Sequence, residues 1–362
     1  MALLSMVGMS LVPTDAPTTQ TTQALGARLP GLPFIQPLLA NGGRISRVTG
    51  DWLYYIGWYI QANGNTANRV EGMLHPLLTM APTLTVNDAV IGGFRFKAPN
   101  AGNGGIFGLC NNSASVAPYQ QLQVLKFTDF TFVANQEYYF EYSIDLAGGL
   151  INRWIDGVAL SSVAIPAWVN TAIGAGQETY LVYGNPVLVN LANNVLHELY
   201  FRDIYVLRRD AEHPNRLGPQ TITALPVKTR DTNAAWTSSD GSDPLAVYNT
   251  AITTVASIST PLVTSDAGET ADSLTFDPAA VTGLINGVAF VTSGQRPGGT
   301  DGQIRGTLVE DTTEAPFSIQ ALDTTFKSFI RLGISSKSPK GTPWSKSLLG
   351  GVKLKVQAVP TP

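Results

Sequence analysis

The sequence predicts an all-β protein, and three observations carry that prediction. Apolar and polar residues alternate in short runs along most of the 362-residue chain, the period-2 pattern of strands with two unlike faces. Glycine (35) and proline (23) are scattered between the runs as turn punctuation, as many short strands require. After residue 45, almost nothing sustains the 3.6-residue period of a helix. Strands at this spacing build sandwiches.

In chain order, residues 1 to 45 come first, and beyond their apolar start they sustain no period of 3.6 or 2. "MALLSMVGMSLV" is apolar but too short to span a bilayer, and it lacks the basic flank of an export signal. The Pro-, Thr- and Gln-rich stretch that follows ends in "LPGLPFIQPLL". These residues read as an extended arm held by partner subunits, with Met1, Leu3, Leu4, Leu11, Leu32, Phe34 and Ile35 as its apolar contacts. "DWLYYIGWYI" then starts a series of strands. It runs through "AVIGGFRFKAP", "LQVLKFTDFTFV", "EYYFEYSIDL", "INRWIDGVAL" and "TYLVYG" to "HELYFRDIYVL". A composition shift at "RRDAEHPNRLGPQ" marks a boundary near residue 212. Past it aromatics thin out, and "TITALPVKT", "PLAVYNT", "ADSLTFD", "LINGVAFVT", "GQIRGTLVE", "FKSFIRLGI" and "GGVKLKVQAV" read as strands of a second, smaller β domain. The expected organisation is an arm (1–45), a first sandwich (46–212) and a second (213–362).

The stretch "QEYYFEYSIDLAGGLINRWIDGVAL" raises the question of chemistry. Alternate side chains on a strand share a face, so Tyr138, Phe140, Tyr142 and Ile144 form an inward row, expected to pack against a sheet carrying "YFRDIYV". Glu137, Tyr139, Glu141, Ser143 and Asp145 then face water. "AGG" turns the chain, and the returning strand closes at Asp156-Gly157. Carboxylates four residues apart on a strand stand roughly 13 Å from each other. A glycosidase pair needs about 5 to 9.5 Å, so the row reads as a solvated face rather than an acid and a base.

Other chemistries find little purchase. With 14% charged residues and a formal net charge of −3, the chain has no basic footprint for nucleic acid or an anionic membrane. The single cysteine, Cys110, excludes an internal disulfide framework and reads as a small buried hydrophobe. His75, His197 and His213 lie far apart without metal-ligand spacing, and "DGSDP" lacks the downstream carboxylates of a calcium loop. No nucleophile elbow or phosphate loop appears, and "GQRPGGTDGQIRG" reads as a hairpin loop. No catalytic residue, metal or cofactor is expected.

The order of the runs carries a resemblance. An alternating strand (Tyr139 to Asp145), a short turn at Gly148 and Gly149, a strand ending at Trp154 to Gly157 and a late "F-x-D-I-Y-V" strand (Phe201 to Val206) resemble the concanavalin A-like, or laminin-G-like, jelly roll. "RDIYVL", "LGPQTITALPV", "AAWTSSDGSD", "LAVYNTA", "ADSLTFD" and "GGVKL" further resemble bacteriophage virion proteins in which such a sandwich precedes a second β domain; Pro219, Ser238 and Asn249 depart from the usual wording. The resemblance spans residues 46 to 362. It implies a non-enzymatic virion component, a tail or neck appendage or a capsid decoration, made in the host cytoplasm and partnered by other virion subunits and by copies of itself. The alternative is a carbohydrate-binding adhesin or tail fibre that meets a host surface glycan through jelly-roll loops. Its candidate residues are Trp58, Tyr59, Asn63, Asn65, Asn103, Asn111 and Asn112.

Overall fold

A computed structural model describes residues 3–7, 44–48, 52–58, 71–99, 102–103, 106–112, 121–127, 129–185, 196–231, 236–238, 241–249, 263–264, 271–294, 302–322 and 327–359. Within them the chain is all-β, and every strand pairing is antiparallel.

The larger sheet, here the front sheet, runs in the order β12 (Val158–Ala159), β11 (Leu150–Ile155), β10 (Tyr138–Asp145), β5 (Ala89–Lys97), β15 (Leu196–Arg208), β3 (Trp52–Trp58) and β2 (Arg44–Val48). Two short strands join it off this path: β13 (Val163–Ala164) pairs with β11, and β1 (Leu3–Val7) pairs with β15 beyond the stretch held by β3. The back sheet runs β4 (Glu71–Pro76), β14 (Thr179–Asn185), β7 (Phe107–Asn112) and β8 (Gln121–Lys126). The chain crosses repeatedly from one sheet to the other, as in a jelly roll. A short antiparallel pair of β6 (Gly102–Asn103) and β9 (Thr131–Phe132) lies outside both sheets.

The inward row does what its alternation predicts. Tyr138, Phe140, Tyr142 and Ile144 are all buried in one core. The partner, however, differs from the expected one. "YFRDIYV" belongs to β15, which flanks β5 on the side away from β10, so both lie in the front sheet. The row packs instead on the back sheet: Phe107 stacks on Tyr142 at 4.3 Å, and Tyr183 meets Phe94 edge-on at 5.0 Å. Helix α2 (Ala167–Gly174), following α1 (Leu77–Met80), adds Val169 and Ile173 to this core. Close approach explains "IGGF": a Cβ on Gly92 would fall 2.2 Å from the Tyr142 hydroxyl oxygen.

Residues after 225 form a second core around Leu274, Phe290, Leu308, Trp344 and Leu354. Its main sheet runs β16 (Val227–Arg230), β19 (Ala271–Phe276), β25 (Lys353–Val359), β21 (Gln303–Glu310) and β22 (Thr313–Pro316), with β23 (Gln320–Ala321) beside β21. Two further pairs are β17 (Thr237–Ser238) with β18 (Val263–Thr264), and β20 (Val288–Gly294) with β24 (Lys327–Ser335). "PLAVYNT" is not the expected strand. Pro244–Asn249 forms helix α3, whose Leu245 N–H donates to the Asp243 carboxylate at 2.9 Å. An acceptor followed by proline at the first helical position starts a helix more strongly than a short apolar run resists it. Helix α4 (Lys346–Gly351) starts likewise, on the Ser345 hydroxyl. No helix among the described residues is long and apolar enough to cross a membrane.

Candidate functional site: the carboxylate row and the seam over it

The outer face of β10 is not the expected solvated surface. Tyr139, Glu141 and Ser143 are buried, Glu141 with none of its surface exposed. The cover is the segment that leaves β15, residues 216–218, together with Leu217 and Ile334 packed over Ile91, Tyr139, Tyr205 and Leu207. Small size at Gly93 makes room for Tyr139 and Tyr205 on this face, since a Cβ there would lie 2.7 Å from the Tyr139 hydroxyl oxygen and 2.7 Å from the Tyr205 ring.

Glu141 is fully engaged beneath that cover. One carboxylate oxygen accepts from the Gly218 N–H at 2.8 Å and the Tyr205 hydroxyl at 3.2 Å, and the other from Arg216 Nη1 at 2.7 Å. Gly218 is held at both ends, because its carbonyl accepts from the Tyr139 hydroxyl at 2.7 Å. Its φ of +75° is a conformation that glycine adopts without strain. Arg216 also spreads over the Trp154 ring, 5.3 Å from its centroid. Burial pushes the hydroxyl pKa values of Tyr139 and Tyr205 well up, with the Glu141 charge adding to both. They act as donors, not acids.

The other carboxylates of the row are equally occupied. Glu137 is bridged by Arg95 at 3.0 Å and Arg202 at 2.7 Å. Asp145 caps the turn by accepting from Gly148 N–H at 2.9 Å and faces Arg209 at 3.3 Å. Asp156, at φ +49°, accepts from the Tyr139 N–H at 2.7 Å and so ties the end of β11 to the start of β10. Asp203 sits at φ +55° in a bulge of β15, buried, with its carboxylate on the Ile222 N–H at 2.9 Å and near Arg95 at 3.3 Å. The row does lie on one face, but it forms a chain of clamps rather than a cleft.

Sequence reasoning missed Arg153. It follows Ile151 on the inward face of β11 and is buried in the core. Its guanidinium stacks 4.3 Å over Phe127, grips Asp129 with two bonds of 2.6 and 2.8 Å, and donates to the Ser161 carbonyl. Only the inward parity of "INRWI" pointed to it. The second core has a counterpart in Asp272, wholly buried, bonded by Arg230 Nε at 2.7 Å and by the Tyr248 hydroxyl at 2.6 Å.

The expected glycan-binding residues do not converge on a described surface. Tyr59, Asn63 and Asn65 lie outside the described residues; Trp58 ends β3, and Asn103 ends β6. Asn111 and Asn112 belong to β7 rather than to a loop, and Asn111 is buried. Of the arm residues, Leu3 and Leu4 belong to β1, whereas Met1, Leu11, Leu32, Phe34 and Ile35 lie outside the described residues. Cys110 is a free, buried thiol whose pKa burial pushes up. Asp210, Glu212 and His213 gather in one turn, where Asp210 caps the Glu212 and His213 N–H groups and Glu212 pairs with Lys337.

No family model matches the chain, and no curated protein does. Among solved structures, an alginate lyase from Pseudomonas aeruginosa is 11% identical with a TM-score of 0.31, over 45% of this chain and 84% of that one. A tandem CBM22 domain from Paenibacillus barcinonensis Xyn10C is 12% identical at a TM-score of 0.26, over 99% and 90%. A GH16 protein from Bacteroides ovatus, in complex with product, is 14% identical at 0.26, over 49% and 92%.

Proposed function

We propose that the chain is a non-enzymatic structural protein of a bacteriophage virion, a tail or neck appendage or a capsid decoration, assembling through its N-terminal segment. The phage setting is supported by the order of motifs from "RDIYVL" to "GGVKL". The non-enzymatic part is supported above all by Glu141, which has no exposed surface and is spent on Arg216, Gly218 and Tyr205. A general acid or base must come within about 3 Å of a substrate atom. Glu141 has no path to one, and Glu137, Asp145 and Asp156 each already serve arginine or backbone groups. The adhesin alternative draws less support, since Asn111, one of its contact residues, is buried.

Deleting residues 1–43, which removes β1 and leaves β2 whole, tests the assembly role. The truncated protein is expected to fold with a lowered melting temperature yet be missing from purified particles, and its normal incorporation overturns the reading. Incubation of the full chain with host polysaccharide tests the rest. No new chain ends are expected. Cleavage that a Glu137→Gln change abolishes would restore the row to catalysis.

A further inference from the structure

We propose that β1 is an exchangeable strand: in an assembly it leaves its own β15 and pairs with β15 of a neighbouring copy, in the same register. This deepens the assembly reading above and rests on it, by naming where the N-terminal segment docks and what receives it.

The receiving edge is well defined. One edge of β15 pairs with β5 from Tyr200 to Arg208, on both sides of the bulge, while its other edge is shared. Leu196 to Phe201 pair with β3, and Ile204 to Leu207 pair with β1, through Leu3 to Leu207, Ser5 to Val206, Met6 to Tyr205 and Val7 to Ile204. The bulge at Asp203 separates the two stretches. Without β1, the stretch Ile204 to Leu207 in the middle of the front sheet would become an open edge, with the backbone groups of alternate residues losing their partners, and an extended segment is what such an edge accepts. β1 also lies against β24, so an exchanged strand would sit between the two β halves of its acceptor.

The tether permits the exchange. Residues 8–43 join β1 to β2, a reach of roughly 120 Å at full extension. A compact chain of this length has a radius of gyration of only about 21 Å. The same backbone bonds form within one copy or between two, so effective concentration decides between them. For two elements joined by 36 residues of chain it is on the order of millimolar. Dilute protein keeps its own strand. Copies packed side by side meet that concentration and swap, as domain swapping requires.

Cross-linking of full-length protein tests this. Ser5 and Val206 are direct partners across the pair, at a spacing a disulfide spans; Cys110 is buried and stays out of the reaction. The double variant S5C/V206C, oxidised when dilute, should close within one chain. A mixture of the S5C and V206C single variants, one enlarged by a tag, can join these positions only between copies. Its hetero-linked band should grow with concentration and become prominent near millimolar. A double variant that closes while the mixture never links means the strand is locked at home, and the proposal fails. Failure of both refutes the pairing itself. If the mixture fails to link while the folded protein lacking residues 1–43 is still lost from particles, exchange is wrong and the assembly reading stands. Linking with normal incorporation of the truncated protein gives the reverse.

Discussion

Arg216 reaches back over Trp154 to the buried carboxylate of Glu141, 2.7 Å from Nη1 to Oε2, from a segment that belongs to neither sheet of the sandwich. The contact joins residues 75 apart in sequence and fixes the chain as it leaves the first half for the second. Removing either partner is unequal. Arg216→Ala leaves a carboxylate with no exposed surface and only the Gly218 and Tyr205 donors, and breaking such a pair from one side is expected to cost near the lower end of about 3–5 kcal/mol, since Arg216 itself is partly exposed. Arg216→Ala with Glu141→Gln should recover part of that loss, because a neutral amide tolerates burial better. Urea melts of the two single variants and the double variant measure it; additive effects would mean the pair does not couple.

Phe140→Ala removes a ring from the core between the sheets, where Phe94 lies 5.2 Å and Phe107 5.4 Å away. A loss of about 3–5 kcal/mol is expected. Leu284→Ala, at 92% exposure, should change stability by no more than about 0.5 kcal/mol. Thermal melts compare them directly.

The Arg153 guanidinium bonded to Asp129 holds that carboxyl below its ordinary value of 3.8. A folded pKa below the unfolded one gives stability that is whole above the unfolded value and lost as pH falls through the folded value. Asp129→Asn should therefore be less stable than the parent at neutral pH, and the two should converge in acid below about 3.8. Because Asp129 is 41% exposed, the neutral-pH gap should stay near the lower end of about 1–3 kcal/mol. A gap that persists unchanged at pH 2 would show that charge is not its origin.

Asp203 behaves oppositely. Burial raises its pKa, against the lowering effect of the Ile222 N–H and of Arg202 and Arg95. Between the unfolded value of 3.8 and the raised folded value, the native state keeps a proton that the unfolded chain has released. Stability from this group therefore rises as pH falls through that window. Asp203→Asn should keep the fold, since asparagine tolerates the left-handed region, and should flatten this slope. Asp203→Val at the same φ should be less stable than the asparagine variant by about 1–2 kcal/mol. Melts of both variants and the parent across the acid range check the slope and the ranking.

The hairpin of β10 and β11 and the inward row were legible because one period and one turn specify them. The outer face was not. Alternation tells which residues share a side, but Glu141 is dry only because Arg216 and Gly218 come back from far along the chain, and no local pattern announces that return. Arg153 shows the same gap from within: the alternation of "INRWI" puts it at a core position while its charge suits the surface, and Asp129 on a separate loop reconciles them. At "DPLAVYNT" the local signal was present, and the Asp-Pro start outweighed the apolar run that suggested a strand.

The bulge in β15 also changes how that strand must be spelled. Leu199 and Phe201 point into the core ahead of it, whereas Ile204 and Val206 do so beyond it, and Tyr205 and Leu207 turn out to the seam. One extra residue between Arg202 and Tyr205, relative to the partner strand, switches odd positions for even. The strand thus carries two frames, and Asp203 is the shift between them. Loss of the Asp203 codon would merge the two frames into one, because Leu199, Phe201, Ile204 and Val206 would then alternate regularly and keep the core, with Tyr205 and Leu207 still on the seam. A codon gained there, with the bulge still absorbing one residue, would instead send tyrosine to the apolar interior and isoleucine to Glu141, so adding and removing one residue at this point are not equivalent changes.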